Sequence, residues 1–189
     1  HAGSYGGAVV GQLNDDTFFD FDAVPVTGAE LDTVEELSAY DVVVIGDFTR
    51  EAELEGFAPA LRTWAEAGGG VVGTGYLIYS AGSSTGAPVA DIDAVIPVNT
   101  SASYNLIYNS TLMIQDPTHP VVNGLASFVV GDYVEYSSGG PDAGATVLAS
   151  AGGQAVVVVG TTGLGRSAFL GPLYLGTSYS ALRSGPADR

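Results

Sequence analysis

Apolar positions fall into two patterns along this chain. Short β-branched runs are bounded by glycine, proline and aspartate, and one long stretch repeats at helical spacing. Ala8-Val9-Val10-Gly11-Gln12 predicts a short first strand. Ala23-Val24-Pro25-Val26-Thr27 predicts a second, and its proline suits an edge position. Thr33-Val34-Glu35-Glu36-Leu37 carries a Thr-x-x-Glu capping box and predicts a short helix. The unbroken run Asp41-Val42-Val43-Val44-Ile45-Gly46-Asp47 predicts a strand buried on both faces, as in a parallel sheet. From Glu51 to Ala67, Leu54, Phe57, Ala58, Leu61, Trp64 and Ala65 recur every three or four residues and predict a helix. Gly68-Gly69-Gly70 stops it, and Val71-Val72 opens the next strand. Strands alternating with helices imply a doubly wound, mostly parallel α/β sheet with right-handed crossovers.

The second half reads differently. Residues 80–90 form a Ser/Gly/Pro loop. Ala94-Val95-Ile96-Pro97-Val98 and Asn105 to Ile114 predict strands, some antiparallel. Asp116-Pro117-Thr118-His119-Pro120 is a turn. Val129 to Tyr136 and Thr146 to Ala149 predict further strands, and Ala155–Gly160 with Ser167–Leu170 predicts a hairpin. The expected architecture is therefore a mostly parallel sheet with an antiparallel extension in the C-terminal half. No repeat and no long linker divides the chain, so residues 1–189 are expected to form one domain.

Charge narrows the partners. The formal net charge is −16, with 21 acidic residues against five basic ones, all arginine. Such a chain repels nucleic acid and anionic membrane surfaces, and cations are its natural small partners. No apolar run approaches the roughly 20 residues of a membrane helix, so membrane insertion is not expected. With no cysteine, disulfides, thiolate metal sites and cysteine nucleophiles are excluded. The profile without Cys or Lys and with 27 glycines suggests a secreted or cell-surface protein.

Several stretches invite a chemical reading. Gly82-Ser83-Ser84-Thr85-Gly86 matches G-x-S-x-G, and Ser84 with His119 and Asp91, Asp93 or Asp116 would complete a triad on paper. A nucleophile elbow needs a strand directly before it and a helix directly after it, and here Ala87-Pro88 follows. His119 is either a base or ligand, or the brace of a turn between two prolines. Asn14, Asp15, Asp16, Asp20 and Asp22 place hard oxygen ligands at a spacing that suits Ca²⁺. Phenylalanines interleave with them, which equally suits a solvated acidic loop. No other cofactor is expected. Asp47 follows the carboxyl end of a strand, where open α/β sheets place ligands. Gly160-Thr161-Thr162-Gly163-Leu164-Gly165 lacks the Gly-Lys-Ser/Thr of a phosphate loop and reads as a hairpin turn. Ten tyrosines suit carbohydrate or protein surfaces as well as plain strand propensity.

Four phrases carry a family resemblance: Tyr40 to Gly46, Ala67 to Gly73, Asp116 to Leu125 and Gly165 to Pro172. Their order and spacing resemble the class I glutamine amidotransferase-like superfamily, nearer its ThuA-like branch. The resemblance implies a flavodoxin-like sheet with an antiparallel extension. It also implies a catalytic cysteine on the turn after the strand at Val71-Val72, where this chain has Gly73-Thr74-Gly75. The His-x-Glu of catalytic members falls at Gly171-Pro172-Leu173, so nucleophile, base and orienter are all replaced. Thr74, Tyr76, Asp47 and His119 remain as candidates for a ligand crevice. The closing helix that the resemblance implies is missing after Ser184-Gly185-Pro186, so the chain is expected to be a segment of a longer polypeptide.

These readings converge on a non-catalytic amidotransferase-like domain that serves binding or assembly, with protein or carbohydrate as partner. Two alternatives stand beside it: a hydrolase with a relocated site at Ser84 and His119 or at a carboxylate-held metal, and a self-assembling structural subunit of an extracellular filament or layer.

Overall fold

The computed structural model describes residues 10–11, 13–14, 20–46, 51–82 and 87–172. Its local elements follow from the sequence signals where those signals are specific. The Thr33 hydroxyl accepts the Glu36 N–H at 3.3 Å, and the Glu36 carboxylate accepts the Thr33 N–H at 3.2 Å. This reciprocal cap starts α1, Val34–Leu37. The periodic stretch forms α2, Glu51–Glu66, with Leu54, Phe57, Ala58 and Leu61 fully buried. Gly68, at φ 129°, ends the helix in a conformation that favours glycine. The next orphan carbonyl, that of Glu66, is satisfied from far along the chain by the Leu164 N–H at 2.9 Å.

The described strands form one curled sheet in a mixed α/β fold. They are β1 Val42–Ile45, β2 Gly70–Thr74, β3 Tyr104–Ile114, β4 Phe128–Ser137, β5 Thr146–Ala151, β6 Gln154–Thr162 and β7 Gly165–Leu170. Their order is β1-β2-β7-β6-β5-β3-β4. The pairs β1–β2 and β2–β7 are parallel, and the other four are antiparallel. The antiparallel extension expected in the C-terminal half is present, and among the described strands it outnumbers the parallel part. The sheet curls far enough that Val134 of β4 bridges Pro172, just beyond β7. One apolar core lies between α2 and the parallel half, and a second lies inside the curl around Leu112, Val134, Leu148 and Val156.

Three expected strands are corrected. Val10 and Gly11 are helical, and the Asn14 N–H donates to the Val10 carbonyl at 3.0 Å. Ala23–Thr27 forms no continuous strand: Val26 makes a single β-bridge, while at Ala23 the Asn14 amide accepts the N–H at 2.6 Å and donates to the carbonyl at 2.9 Å, so a side chain takes the place of a ladder there. Ala94–Val98 is a buried turn that leaves the short helix Ala90–Asp93. There one Asp93 carboxylate oxygen accepts the Thr100 N–H, the Thr100 hydroxyl and the Ser101 N–H. The backbone of residues 94–96 continues the helical pattern, with the Ala94 N–H donating to Ala90 and the Ile96 N–H to Ile92, both at 3.0 Å, and only Val98 makes a β-bridge, to Pro141. Nor is β1 buried on both faces, because it ends the described sheet and leaves Val42 51% exposed.

The β6–β7 turn packs so closely on the end of α2 that a Cβ on Gly165 would collide with the carbonyl oxygens of Ala65 and Gly69. Gly165→Ala is therefore expected to destabilise the fold by about 2 kcal/mol. Gly56, in the exposed middle of α2, has open space around it. Gly56→Ala is expected to stabilise by about 0.5–1 kcal/mol. Urea denaturation of both variants checks the pair, and equal effects would show that the helix–hairpin contact is slack.

Candidate functional site

The carboxyl ends of β2 and β7 meet a tight strand–turn–helix. β2 ends at Thr74, Gly75-Tyr76 makes the turn, and α3, Leu77–Ala81, follows at once. Tyr76 adopts φ 67° and ψ 0°, the left-handed conformation that a side chain rarely takes. The apex of the turn is thus Tyr76, beyond the Gly73-Thr74-Gly75 stretch where the sequence pattern places it. Thr74 is the last strand residue, only 5% exposed, and its hydroxyl donates to the Ile45 carbonyl at 3.3 Å. Packing accounts for the phase: the Leu77 side chain lies over Gly73, where a Cβ would collide with it, so the helix starts directly above the strand.

The N-terminus of α3 holds a carboxylate from another part of the chain. Glu135 of β4 is 1% exposed. One of its oxygens accepts the Ile78 N–H at 3.2 Å and the other accepts the Tyr79 N–H at 2.9 Å. A negative group is favoured there because first-turn N–H groups are unpaired and the helix dipole is positive at that end. The backbone fixes Glu135 as firmly: its N–H donates to the Gly171 carbonyl at 2.8 Å, and the Gly171 N–H donates to Val156 at 2.7 Å. A Cβ on Gly171 would collide with the Glu135 carbonyl oxygen, so glycine permits this approach.

Tyrosines form a continuous wall beside this junction. Tyr104 packs edge-on against Tyr79 with ring centres 4.9 Å apart, and Tyr79 against Tyr76 at 5.9 Å. Tyr76 meets Tyr133 at 5.4 Å, and Tyr133 meets Tyr108 at 5.5 Å. The row runs from the half-buried elbow out to Tyr108, which is 61% exposed. The bulge in β3 at Asn109, φ 47°, lies beside Tyr108.

The remaining sequence candidates lie elsewhere. The His119 Nδ1 accepts the Val121 N–H at 3.3 Å within its own turn. The Asp116 carboxylate there accepts the Thr118 hydroxyl at 2.6 Å and its N–H at 3.1 Å. Asp20 and Asp22 are exposed. Asp15, Asp16, Asp47 and Ser84 lie outside the described residues. No three His, Asp or Glu side chains form a metal-holding group among the described residues. Glu135 was missed by sequence reasoning. Its signal is a lone carboxylate within the strand segment Tyr133-Val134-Glu135-Tyr136, where burial requires compensating donors.

No family model matches the chain, and no curated protein matches it. Solved structures do. A cytoplasmic protein from Salmonella typhimurium LT2 superposes with a TM-score of 0.75 at 16% identity, over 98% of this chain and 83% of its own. A second cytoplasmic protein from Salmonella typhimurium gives 0.69 at 19%, over 97% and 83%. A ThuA-like protein from Bacteroides uniformis gives 0.60 at 19%, over 93% and 78%. This likeness is one of fold, and it is consistent with a ThuA/glutamine amidotransferase-like architecture. The expectation of a secreted or surface location is corrected: both Salmonella proteins are named as cytoplasmic, and the acidic, lysine-free composition behind that expectation does not report a compartment.

Removing the Glu135 carboxyl group deprives one buried and one part-buried N–H group of their acceptor. Glu135→Ala is expected to cost about 3 kcal/mol and Glu135→Gln about half of that, measured by urea denaturation. Near-zero costs would mean that the α3 N-terminus is satisfied without it. In the His119 turn, the Thr118 hydroxyl, and after it the Thr118 N–H, holds the Asp116 carboxyl below its ordinary value of 3.8. The folded state therefore binds this proton less tightly than the unfolded state. The resulting stability is present above the ordinary carboxylate range and is lost as pH falls through the depressed value. NMR titration is expected to show the depression, and Thr118→Val to reverse most of it.

Proposed function

We propose that this chain is a non-catalytic ThuA/glutamine amidotransferase-like domain with a flavodoxin-like core, and that its tyrosine wall binds a neutral, hydroxyl-rich ligand of the carbohydrate class. The observation that carries the reading is the Glu135 carboxylate on the first-turn N–H groups of α3. An elbow enzyme stabilises an oxyanion with backbone N–H groups at the start of the helix that follows its nucleophile. A carboxylate already bound there takes up such donors and repels developing negative charge. Loss of the family's nucleophile, base and orienter is part of this proposal.

Two features favour a neutral ligand. The net charge of −16 and the internal carboxylate both disfavour anions. Tyrosine offers an apolar ring face for a sugar's C–H surface and a hydroxyl for its polar edge. The row from Tyr104 to Tyr108 supplies several such rings side by side.

The purified protein is expected to turn over neither glutamine nor a simple aryl ester. Neutral oligosaccharides are expected to shift the NMR signals of Tyr76, Tyr79 and Tyr133, and Tyr79→Ala to weaken that binding about tenfold. Turnover that disappears in Tyr76→Phe would overturn the non-catalytic reading. Sugar binding that is indifferent to Tyr79→Ala would overturn the wall as the binding surface.

A further inference from the structure

A separate pocket lies toward the amino ends of the parallel strands, away from Glu135. Its floor is the helix-bearing face of the sheet at Gly160 and Ser167, and its walls are the turns at 94–97 and 142–145. The cavity measures about 130 Å³. The two turns are joined at one side, where the Asp142 N–H donates to the Pro97 carbonyl at 3.1 Å and Val98 bridges Pro141. On the other side the Thr162 hydroxyl donates to the Val95 carbonyl at 3.1 Å. Gly160 keeps the floor open, because a Cβ there would press on the Pro97 ring.

Four oxygen-bearing side chains line this space, those of Asp142, Thr161, Thr162 and Ser167, and the Thr162 hydroxyl is engaged with Val95. Ser167 is 5% exposed, and its hydroxyl has no hydrogen-bond partner among the described residues. Asp142 lies at the exposed rim. Partial desolvation at the rim, and secondly the charge of Asp93, push its carboxyl above the ordinary value, the direction expected of an anion without a cation beside it. Asp93 itself is engaged with Thr100 and Ser101. The rest of the wall includes apolar groups from Val95, Ile96 and Ala145.

We infer that this pocket binds a primary ammonium group on an alkyl stem, held by the Asp142 carboxylate and the Ser167 hydroxyl, with the stem against the apolar wall. An ammonium needs about three acceptors, whereas Ca²⁺ takes 6–8 oxygen ligands, and a single carboxylate with the unpartnered Ser167 hydroxyl and the Thr161 hydroxyl nearby in the lining suits the former. The chain contains no lysine, so the ammonium comes from outside it, either as a free polyamine or as a lysine side chain of a partner.

Titration of the full chain with n-butylammonium, with n-butanol as the neutral control, tests the inference by calorimetry and NMR. Butylammonium is expected to bind, with shift changes confined to residues lining the pocket, and butanol is not. Asp142→Asn and Ser167→Ala are each expected to weaken binding about tenfold. Ser167→Ala exchanges a hydroxyl for hydrogen at a buried site and should keep the fold, as its Tm will show. The inference is overturned if no binding is seen, if butanol binds as well, if both variants bind like the parent chain, or if the shifts scatter over the acidic surface. Putrescine and a capped lysine peptide then separate the sources: tighter binding of the diamine assigns a free polyamine, and tighter binding of the peptide assigns a partner's lysine.

Discussion

The burial of one carboxylate organises the structure. Glu135 is out of water, and two N–H groups of α3 accompany it. For β4 to deliver that carboxylate, the sheet must curl until its last strand in spatial order returns to the end of β7. The length of β3 and β4, the Val134–Pro172 bridge and the bare backbone of Gly171 all serve that return. The parallel half, with its helix-bearing face, and the antiparallel half, with its own apolar interior, are thereby joined through a polar contact as well as through sheet pairing. A buried polar group of this kind contributes little net stability against a well-packed apolar alternative, but its orientation is demanding, and it fixes how the two halves sit.

Elements whose cause is local were legible in the sequence. The capping box at Thr33 and Glu36, the period of α2 and the β6–β7 hairpin each depend on residues a few positions apart, and each formed with nearly the expected bounds. The failures share another cause. Ala23–Thr27 and Ala94–Val98 have the composition of strands, yet the Asn14 amide holds the Ala23 backbone in one, and the N–H groups of Ala94, Val95 and Ile96 bond back to Ala90 and Ile92 in the other. Composition does not reveal such competition, because the Asn14 amide lies nine residues from the backbone it serves. The exposure of Val42 likewise depends on where β1 falls in the sheet order, which no local pattern encodes.

The site was half legible. The glycine-rich run after Val71-Val72 marks a strand leading to a tight exit, and the exit is there. Its apex falls on Tyr76 because Leu77 must pack over Gly73, a matter of packing phase rather than of motif. The tyrosines were visible as a count but not as a row, since Tyr76 and Tyr133 come together only through the curl. His119 drew notice as an internal histidine, and the structure shows how its ring nitrogen serves the backbone of its own turn.

The position of β7 bears on synthesis. The last described strand in sequence lies near the middle of the sheet, between β2 and β6. Until Gly165–Leu170 leaves the ribosome, β2 has only β1 as a sheet neighbour among the described strands, and α2 lacks the hairpin donor at its end. Among the described strands, a nascent chain of this protein therefore carries an open, glycine- and valine-rich strand edge from the synthesis of β2 until that of β7. Such edges are the places where growing chains associate wrongly.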